Sequence, residues 1–420
     1  MRVLWFTNSP VSAKRNVKSN FVGESWIGAL ERNLTKNENI KLAIAFKSNA
    51  KELDSFDIDA VTYFVVPHQP DTLIKKLGFG DSIKTVDEKA VKNYIEVVER
   101  FKPDVIQIFG SENNYGLVIP HISVPVIIHI QGNITVYNKK YFSGISAIDM
   151  LRYSYWKHIL KRISTLQMYY QLLKVEDRER KIFSHCEYFL GRTRWDRNIA
   201  RVLAPNSNYF HCDEVLRKEF SEKEWKLPGG DTIKLISVIR GHIYKGLETV
   251  METASLLKDL KIKFSWTIVG NSSTDRAPRI FEKKFKKHFS EVNVILAGSK
   301  NGPELRDMFL ESSIYVHPSH IENSPNAVCE AMIIGLPVIA TSVGGTSGIL
   351  KDSEEGILIQ DGDPYAMAGA IIELSGDHLM QKLFSEKARK RALTRHDPQR
   401  IVNDLIKIYQ DVVANYSKNK

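Results

Sequence analysis

The sequence predicts an α/β protein made of two doubly wound, Rossmann-like domains facing a central cleft. Three observations predict it. At 420 residues the chain exceeds the size at which a single hydrophobic core keeps growing, so two domains are the natural division. Short apolar, β-branched runs alternate with longer segments whose apolar residues recur at three and four, the pattern of a parallel sheet covered by helices on both faces. That rhythm occurs twice, before and after the Pro-Gly-Gly turn of "KLPGGDT" (226–232).

The first series opens with the strand "RVLWFT", a basic loop and the helix "GESWIGALERNL". "IKLAIAF" and "VTYFVVP" read as further strands, and "TVDEKAVKNYIEVVERF" as a helix with Thr85 as its N-cap. "PDVIQIFG" and "PVIIHIQG" are buried strands; "YFLGRT", the helix "RWDRNIARVL" and "NYFHC" complete the half. The second series runs "IKLISVI", helix "GLETVMETASLL", "KFSWTIVG", helix "FEKKFKKHF", "VNVILAG", helix "GPELRDMFL", "IYVHP", helix "PNAVCEAMIIG", "PVIAT" and "GILI". These give an N-terminal domain over 1–228 and a C-terminal domain over 229–396. The last helix, about 397–416, is expected to pack back on the first domain.

Composition narrows the class. Hydrophobic residues make up 43% and charged residues 26%, ordinary for a globular protein. The longest apolar runs are strand-length, too short to cross a bilayer, and the N-terminus lacks the pattern of a signal peptide. Cys186, Cys212 and Cys329 have no metal-ligand spacing, which points to a reduced, cytoplasmic setting. The net charge of +10 calls for an anionic partner. It concentrates in "AKRNVK" (13–18) and in the aromatic, helical stretch from Arg152 to Lys181, with Tyr153, Tyr155, Trp156, Tyr169 and Tyr170. That stretch suits an anionic membrane surface or a lipid-diphosphate acceptor; the plainer reading is a helical hairpin capping its own domain.

The chemistry concentrates in the second series. "SVIRGHIYKGLE" puts Arg240 and Lys245 in one loop at a strand's carboxyl end, before a helix opened by Gly246. Two cations there form a diphosphate-binding arrangement; as isolated surface charges they would mean little. "IENSPNAVCEAMIIGLPVIAT" (321–341) adds a helix N-terminus at Ser324, Pro325, Asn326 and Ala327, whose free N–H groups and dipole favour an anion. Glu330, on that largely apolar helix, needs a partner if ionised and can accept from the vicinal hydroxyls of a ribose. Glu322, on the loop before it, can reach the hydroxyls of a second sugar. The plain alternative leaves Glu330 facing solvent and Glu322 a loop charge.

These residues resemble family 4 of the retaining glycosyltransferases, which have the GT-B fold. The resemblance rests on Glu322 and Glu330 eight positions apart, on "HPSHIENSPNAVCEAM", on "GLPVIATSVGG" and on the Arg240, Lys245, Gly246 set, with looser similarity in "LWFTN", "GESWIGALERNL" and "PDVIQIFG". It implies that Arg240 and Lys245 hold a donor diphosphate, that Glu330 binds the nucleotide ribose and that Glu322 binds the transferred sugar. Backbone groups from Ser324 to Ala327 would complete that site. Gly23 would approach the diphosphate from the opposite domain, and the base would lie near Gly270 and "AGSK" (297–300). Asn8 and Gln131 are the acceptor-side candidates. Gln131 stands where family members often have a histidine, and His129, two residues earlier, reads as a satisfied core residue.

The implied activity is retaining transfer of a sugar from a nucleotide-diphosphate donor to a hydroxyl of a glycan or lipid-linked acceptor, in the style of bacterial surface-polysaccharide enzymes. No cofactor and no metal are expected, because "DGD" (361–363) reads as a turn before a helix. A GT-B epimerase or phosphorylase using the same pocket is the rival among enzymes. A basic nucleic-acid-binding protein is the rival of another class, and no helix-turn-helix, zinc spacing or aromatic RNA-binding signature supports it.

Overall fold

The structure, a computed structural model, describes residues 1–15, 26–68, 83–153 and 165–418. Its first sheet comprises β1 (Arg2–Thr7), β2 (Lys41–Ser48), β3 (Asp54–Ile58), β4 (Val61–Pro67), β5 (Val105–Phe109), β6 (Val126–His129), β7 (Tyr188–Gly191) and β8 (Asn208–His211). Their spatial order is β3-β4-β2-β1-β5-β6-β7-β8. The second comprises β9 (Ile233–Val238), β10 (Phe264–Val269), β11 (Val294–Leu296), β12 (Ile314–His317), β13 (Val338–Thr341) and β14 (Ile357–Ile359), ordered β11-β10-β9-β12-β13-β14. Strand pairing within the sheets is parallel except for β3 against β4.

Strand alternation explains the layers. Val3 and Trp5 of β1 point to one face, where they share a core with the Trp26–Leu34 helix and with Ile401, Leu405 and Tyr409 of the Pro398–Lys418 helix. Leu4 and Phe6 point to the other, against Tyr94, Val97 and Phe101 of the Ile83–Phe101 helix. The second sheet is sandwiched likewise: Ile314 and Val316 of β12 go to one core and Tyr315 to the other. Leu216, Phe220 and Trp225 already belong to the latter core, ahead of the Pro-Gly-Gly loop.

Two readings of local structure are corrected, and one strand is added. Thr85 lies inside the Ile83–Phe101 helix and does not cap it. The helix read over 281–289 spans Arg276–Phe285 and stops where Lys286 turns left-handed at φ 53°. β3 was not legible, because an exposed edge strand with polar residues at alternate positions buries little apolar surface. Of the basic stretch, Thr165–His185 is a helix; Tyr169 packs on Tyr141 and Phe142, while Tyr170 is exposed. Tyr155 and Trp156 lie outside the described residues. Among those residues no helix is long and apolar enough to cross a membrane.

Each sheet reverses its winding once. In the second sheet the chain runs outward from β9 to β11, then returns to the other side of β9 as β12. In the first sheet the same reversal falls between β1 and β5. Crevices beyond the strand carboxyl ends at such reversals are where open α/β sheets place ligands.

Candidate functional site

At the reversal of the second sheet, the loops after β9, β12 and β13 are tied together by their backbones. His320 N–H donates to the Tyr244 carbonyl at 2.9 Å, and Gly345 N–H to the Glu322 carbonyl at 3.0 Å. Two glycines make this approach possible. A Cβ on Gly246 (φ +80°) would lie 2.1 Å from the Pro318 carbonyl oxygen, and one on Gly344 (φ +54°) 1.8 Å from that of Glu322.

Glu322 is buried at the centre of the convergence. Its Oε1 accepts from Lys245 Nζ at 2.5 Å and from the Ser319 hydroxyl at 2.9 Å. His317 Nε2 stands 3.3 Å from the same oxygen, at ion-pair distance but without hydrogen-bond geometry. Burial alone would raise the Glu322 pKa; the Lys245 ammonium, then His317, outweigh it and hold the carboxyl well below the usual range. Glu322 is therefore an anion at neutral pH, and Oε2 accepts from no described side chain. Arg240, one strand end away, is exposed, and its guanidinium has no hydrogen bond or salt bridge among the described residues. Gly270 (φ +106°) packs against the Ile239–Arg240 turn and bonds Gly298 at 2.8 Å, so it sits with the "AGSK" loop.

The Asn326–Ile334 helix heads into this crevice with Pro325 as its N-cap residue, one position earlier than the first-turn reading. The N–H groups of Asn326 and Ala327 are the ones such a helix start leaves without intrahelical partners. The Ser324 side chain turns away, donating to Glu214 Oε1 at 2.6 Å. Glu330 is buried, as its apolar neighbours imply, but it is already held: Arg217 Nε and Nη2 donate to its two oxygens at 2.8 and 2.7 Å. Burial raises the Glu330 pKa and the guanidinium opposes that rise. A two-point pair occupies one lone pair on each oxygen and leaves others for hydroxyls. Sequence reasoning missed Arg217; the buried acid's need for a cation was its only signal.

The first domain closes on the same loop. Thr193 Oγ1 donates to Asn323 Oδ1 at 2.8 Å, and Asn323 Nδ2 to the Ile130 and Gln131 carbonyls at 3.4 Å. The Gln131 side chain folds onto the His129 carbonyl at 3.4 Å, so its backbone rather than its amide meets the second domain. His129 is buried and only half satisfied: Nδ1 bonds Gln107 at 3.1 Å, and Nε2 has no partner. Asn8 lies at the mouth of the other sheet, bonded to Glu112 and Asn113, apart from the Glu322 loop. Gly23 lies outside the described residues. Asp363 caps the Pro364–Gly376 helix, as the turn reading of "DGD" requires, while Asp361 joins a further interdomain cluster. There His320 Nε2 meets Glu248, His320 Nδ1 meets Asp361 Oδ2 at 3.1 Å, and Lys140 reaches that oxygen at 3.3 Å. Two carboxylates on one imidazole require both ring nitrogens protonated, and although burial opposes charge, Glu248 and then Asp361 raise the His320 pKa.

Glu214, Cys329 and His396 bring three ligand-type atoms within 4.8 Å of one another. Arg192 and Arg395 stand 3.9 and 4.0 Å from Glu214, and His396 Nδ1 bonds the Glu214 carbonyl at 2.8 Å. The two guanidinium charges beside Glu214 already compensate its carboxylate and disfavour a further cation there.

Residues 218–391 match the family model described as Glycosyl transferases group 1. The chain is similar to the putative colanic acid biosynthesis glycosyltransferase WcaL of Salmonella typhimurium, 26% identical over 46% of this chain and 48% of the relative. It is also similar to the amylovoran biosynthesis glycosyltransferase AmsK of Erwinia amylovora, 28% identical over 46% of this chain and 49% of the relative. The matched part thus spans about half the length of these curated relatives. Among solved structures, sucrose-phosphate synthase from Thermosynechococcus elongatus superimposes with a TM-score of 0.72 at 15% identity, over 99% of this chain and 100% of that one. The Anabaena protein HepE, solved with UDP and glucose, gives 0.62 at 12% identity, over 98% of this chain and 100% of that one. WaaG, from lipopolysaccharide biosynthesis, gives 0.62 at 13% identity, over 96% and 98%. The fold is GT-B: two Rossmann-like α/β domains.

Proposed function

We propose that this chain, with its group 1 glycosyltransferase segment over 218–391, transfers a sugar from a nucleotide diphosphate to a hydroxyl of a glycan or lipid-linked acceptor, with retention of configuration. One observation carries the reading. Arg240, Lys245, Glu322 and the start of the Asn326–Ile334 helix converge at the reversal of the second sheet, with the Glu322 loop already in contact with the first domain.

In this reading the diphosphate seats against Arg240, the free N–H groups of Lys245, and the helix start. Departure of the nucleotide concentrates charge on its terminal phosphate, and preorganised cations in a crevice stabilise that charge more than water does. Glu322, held anionic and aimed by Lys245 and Ser319, accepts hydroxyls of the transferred sugar through Oε2. Glu330, oriented by Arg217, accepts ribose hydroxyls. The acceptor hydroxyl attacks from the face the diphosphate leaves, and the departing phosphate takes its proton. The two cations do the work a metal would do, so transfer continues in excess EDTA. The relatives' named roles in colanic acid and amylovoran biosynthesis support a surface-glycan acceptor.

The test is product analysis with a radiolabelled nucleotide sugar, with and without an acceptor glycan. Acceptor-dependent product whose new linkage keeps the donor's anomeric configuration supports the proposal. Release of an isomerised donor, or of a sugar 1-phosphate on adding phosphate, would instead indicate an epimerase or phosphorylase.

A further inference from the structure

A row of polar side chains at the mouth of the first sheet is left unused by the donor site. β1 lies between β2 and β5, at the reversal of that sheet. At or just past these strand ends stand Asn8, Lys47, Glu112, Asn113 and Asn114. Lys47 Nζ donates to Asn114 Oδ1 at 2.5 Å and to Asn113 Oδ1 at 3.3 Å. Asn113 Nδ2 donates to Asn8 Oδ1, and Asn8 Nδ2 to Glu112 Oε1. An ammonium can only donate, so Lys47 fixes the orientation of Asn113, which fixes that of Asn8. Each of those amides keeps a second N–H, and Asn8 is exposed.

Lys47 is the unusual member. A half-buried ammonium is best stabilised by an anion, yet among the described residues no carboxylate lies within ion-pair distance of it. Its amide partners use two of its three N–H groups, and the Tyr115 ring lies 4.8 Å from Nζ. Asp87, the nearest acid on the neighbouring helix, already accepts from Asn114 at 2.7 Å and faces Arg178 at 3.5 Å. Burial, then the Arg178 charge, lower the Lys47 pKa to about 8, which still leaves it mainly protonated at neutral pH.

We infer that this row is the acceptor subsite and that it takes a sugar bearing an anionic group, with the anion on Lys47 and sugar hydroxyls on the outward edges of Asn8 and Asn113. The inference rests on the glycosyl-transfer reading and deepens it. A phosphate linking the sugar to a carrier or a uronate carboxylate would both supply the anion, and the probes below separate them.

The test is calorimetric titration of the full chain with glucose 1-phosphate, glucuronate and methyl glucoside. The donor crevice is first filled with the nucleoside diphosphate that most raises the melting temperature. At least one charged probe should bind about tenfold or more tighter than the neutral one; which one names the anion. Lys47→Met should erase that preference and leave nucleoside diphosphate binding unchanged. Asn8→Ala, an exposed substitution that keeps the fold, should weaken all three probes by several fold. Charged probes binding no tighter than methyl glucoside would overturn the inference. So would a preference lost in Lys245→Met but kept in Lys47→Met, which would place the anion in the donor crevice. In both cases the nucleotide result stands on its own, so the donor reading is judged separately.

Discussion

The two sheet mouths are built on one plan and differ in how they hold charge. In the second sheet the cation and the acid face each other: Lys245 is paired with Glu322, and Arg217 with Glu330. In the first, the ammonium of Lys47 bonds only amide oxygens, and the acid Glu112 sits at the far end of the row. The acids of the donor crevice are set by their own ion pairs before ligand arrives, whereas the half-buried Lys47, bonded to amides alone, is the cation the inference completes with an anion. The contrast fits a donor whose leaving group must be stabilised without rearrangement, facing an acceptor recognised by its substituent.

The largest expected effect breaks the paired mouth. Arg217→Met leaves Glu330 buried without a partner and should cost about 3–5 kcal/mol of unfolding free energy, while the double change Arg217→Met, Glu330→Met should recover most of it. Urea unfolding measures both; equal losses in single and double variants would contradict the pairing. Next, Lys245→Met should lower kcat for transfer about 100-fold or more, the size of a lost charge stabiliser in the transition state. A change confined to the donor KM would show that Lys245 only binds.

His320 sharpens the comparison through pH. Its folded pKa is raised, so its contribution is fully present below the unfolded value near 6.5 and is lost as pH rises through the folded value. Stability should therefore fall more steeply in the native chain than in His320→Gln as pH rises above about 6.5, which unfolding measured from there upward would show. Parallel curves would mean that the imidazole is not charged. The smallest effect lies outside both mouths. Glu96→Ala removes a half-exposed pair with Arg100 and should change stability by less than about 0.5 kcal/mol.

The same contrast explains what could be read from the chain. Arg240, Lys245, Glu322 and Glu330 sit in two contiguous stretches, each on a loop-to-helix junction where a charge has few structural reasons to be. Strands such as "PDVIQIFG" were legible because buried parallel strands are apolar on both faces. The first mouth left no such trace. Asn8, Lys47 and Glu112 come from three strand ends spread over a hundred residues, and each alone reads as an ordinary loop residue. Arg217 was hidden likewise, since nothing at position 217 shows that a helix over a hundred residues later will present Glu330 to it. Thr85 misled because a threonine before a periodic run looks like a cap whether or not the helix starts a turn earlier.

The most direct test of the central claim is calorimetric titration of the native chain with a panel of nucleoside diphosphates, repeated for Arg240→Met and Lys245→Met. The account predicts one-to-one binding for at least one base, weakened about tenfold or more in each variant. No binding by any member of the panel, or binding that both variants leave intact, would contradict it.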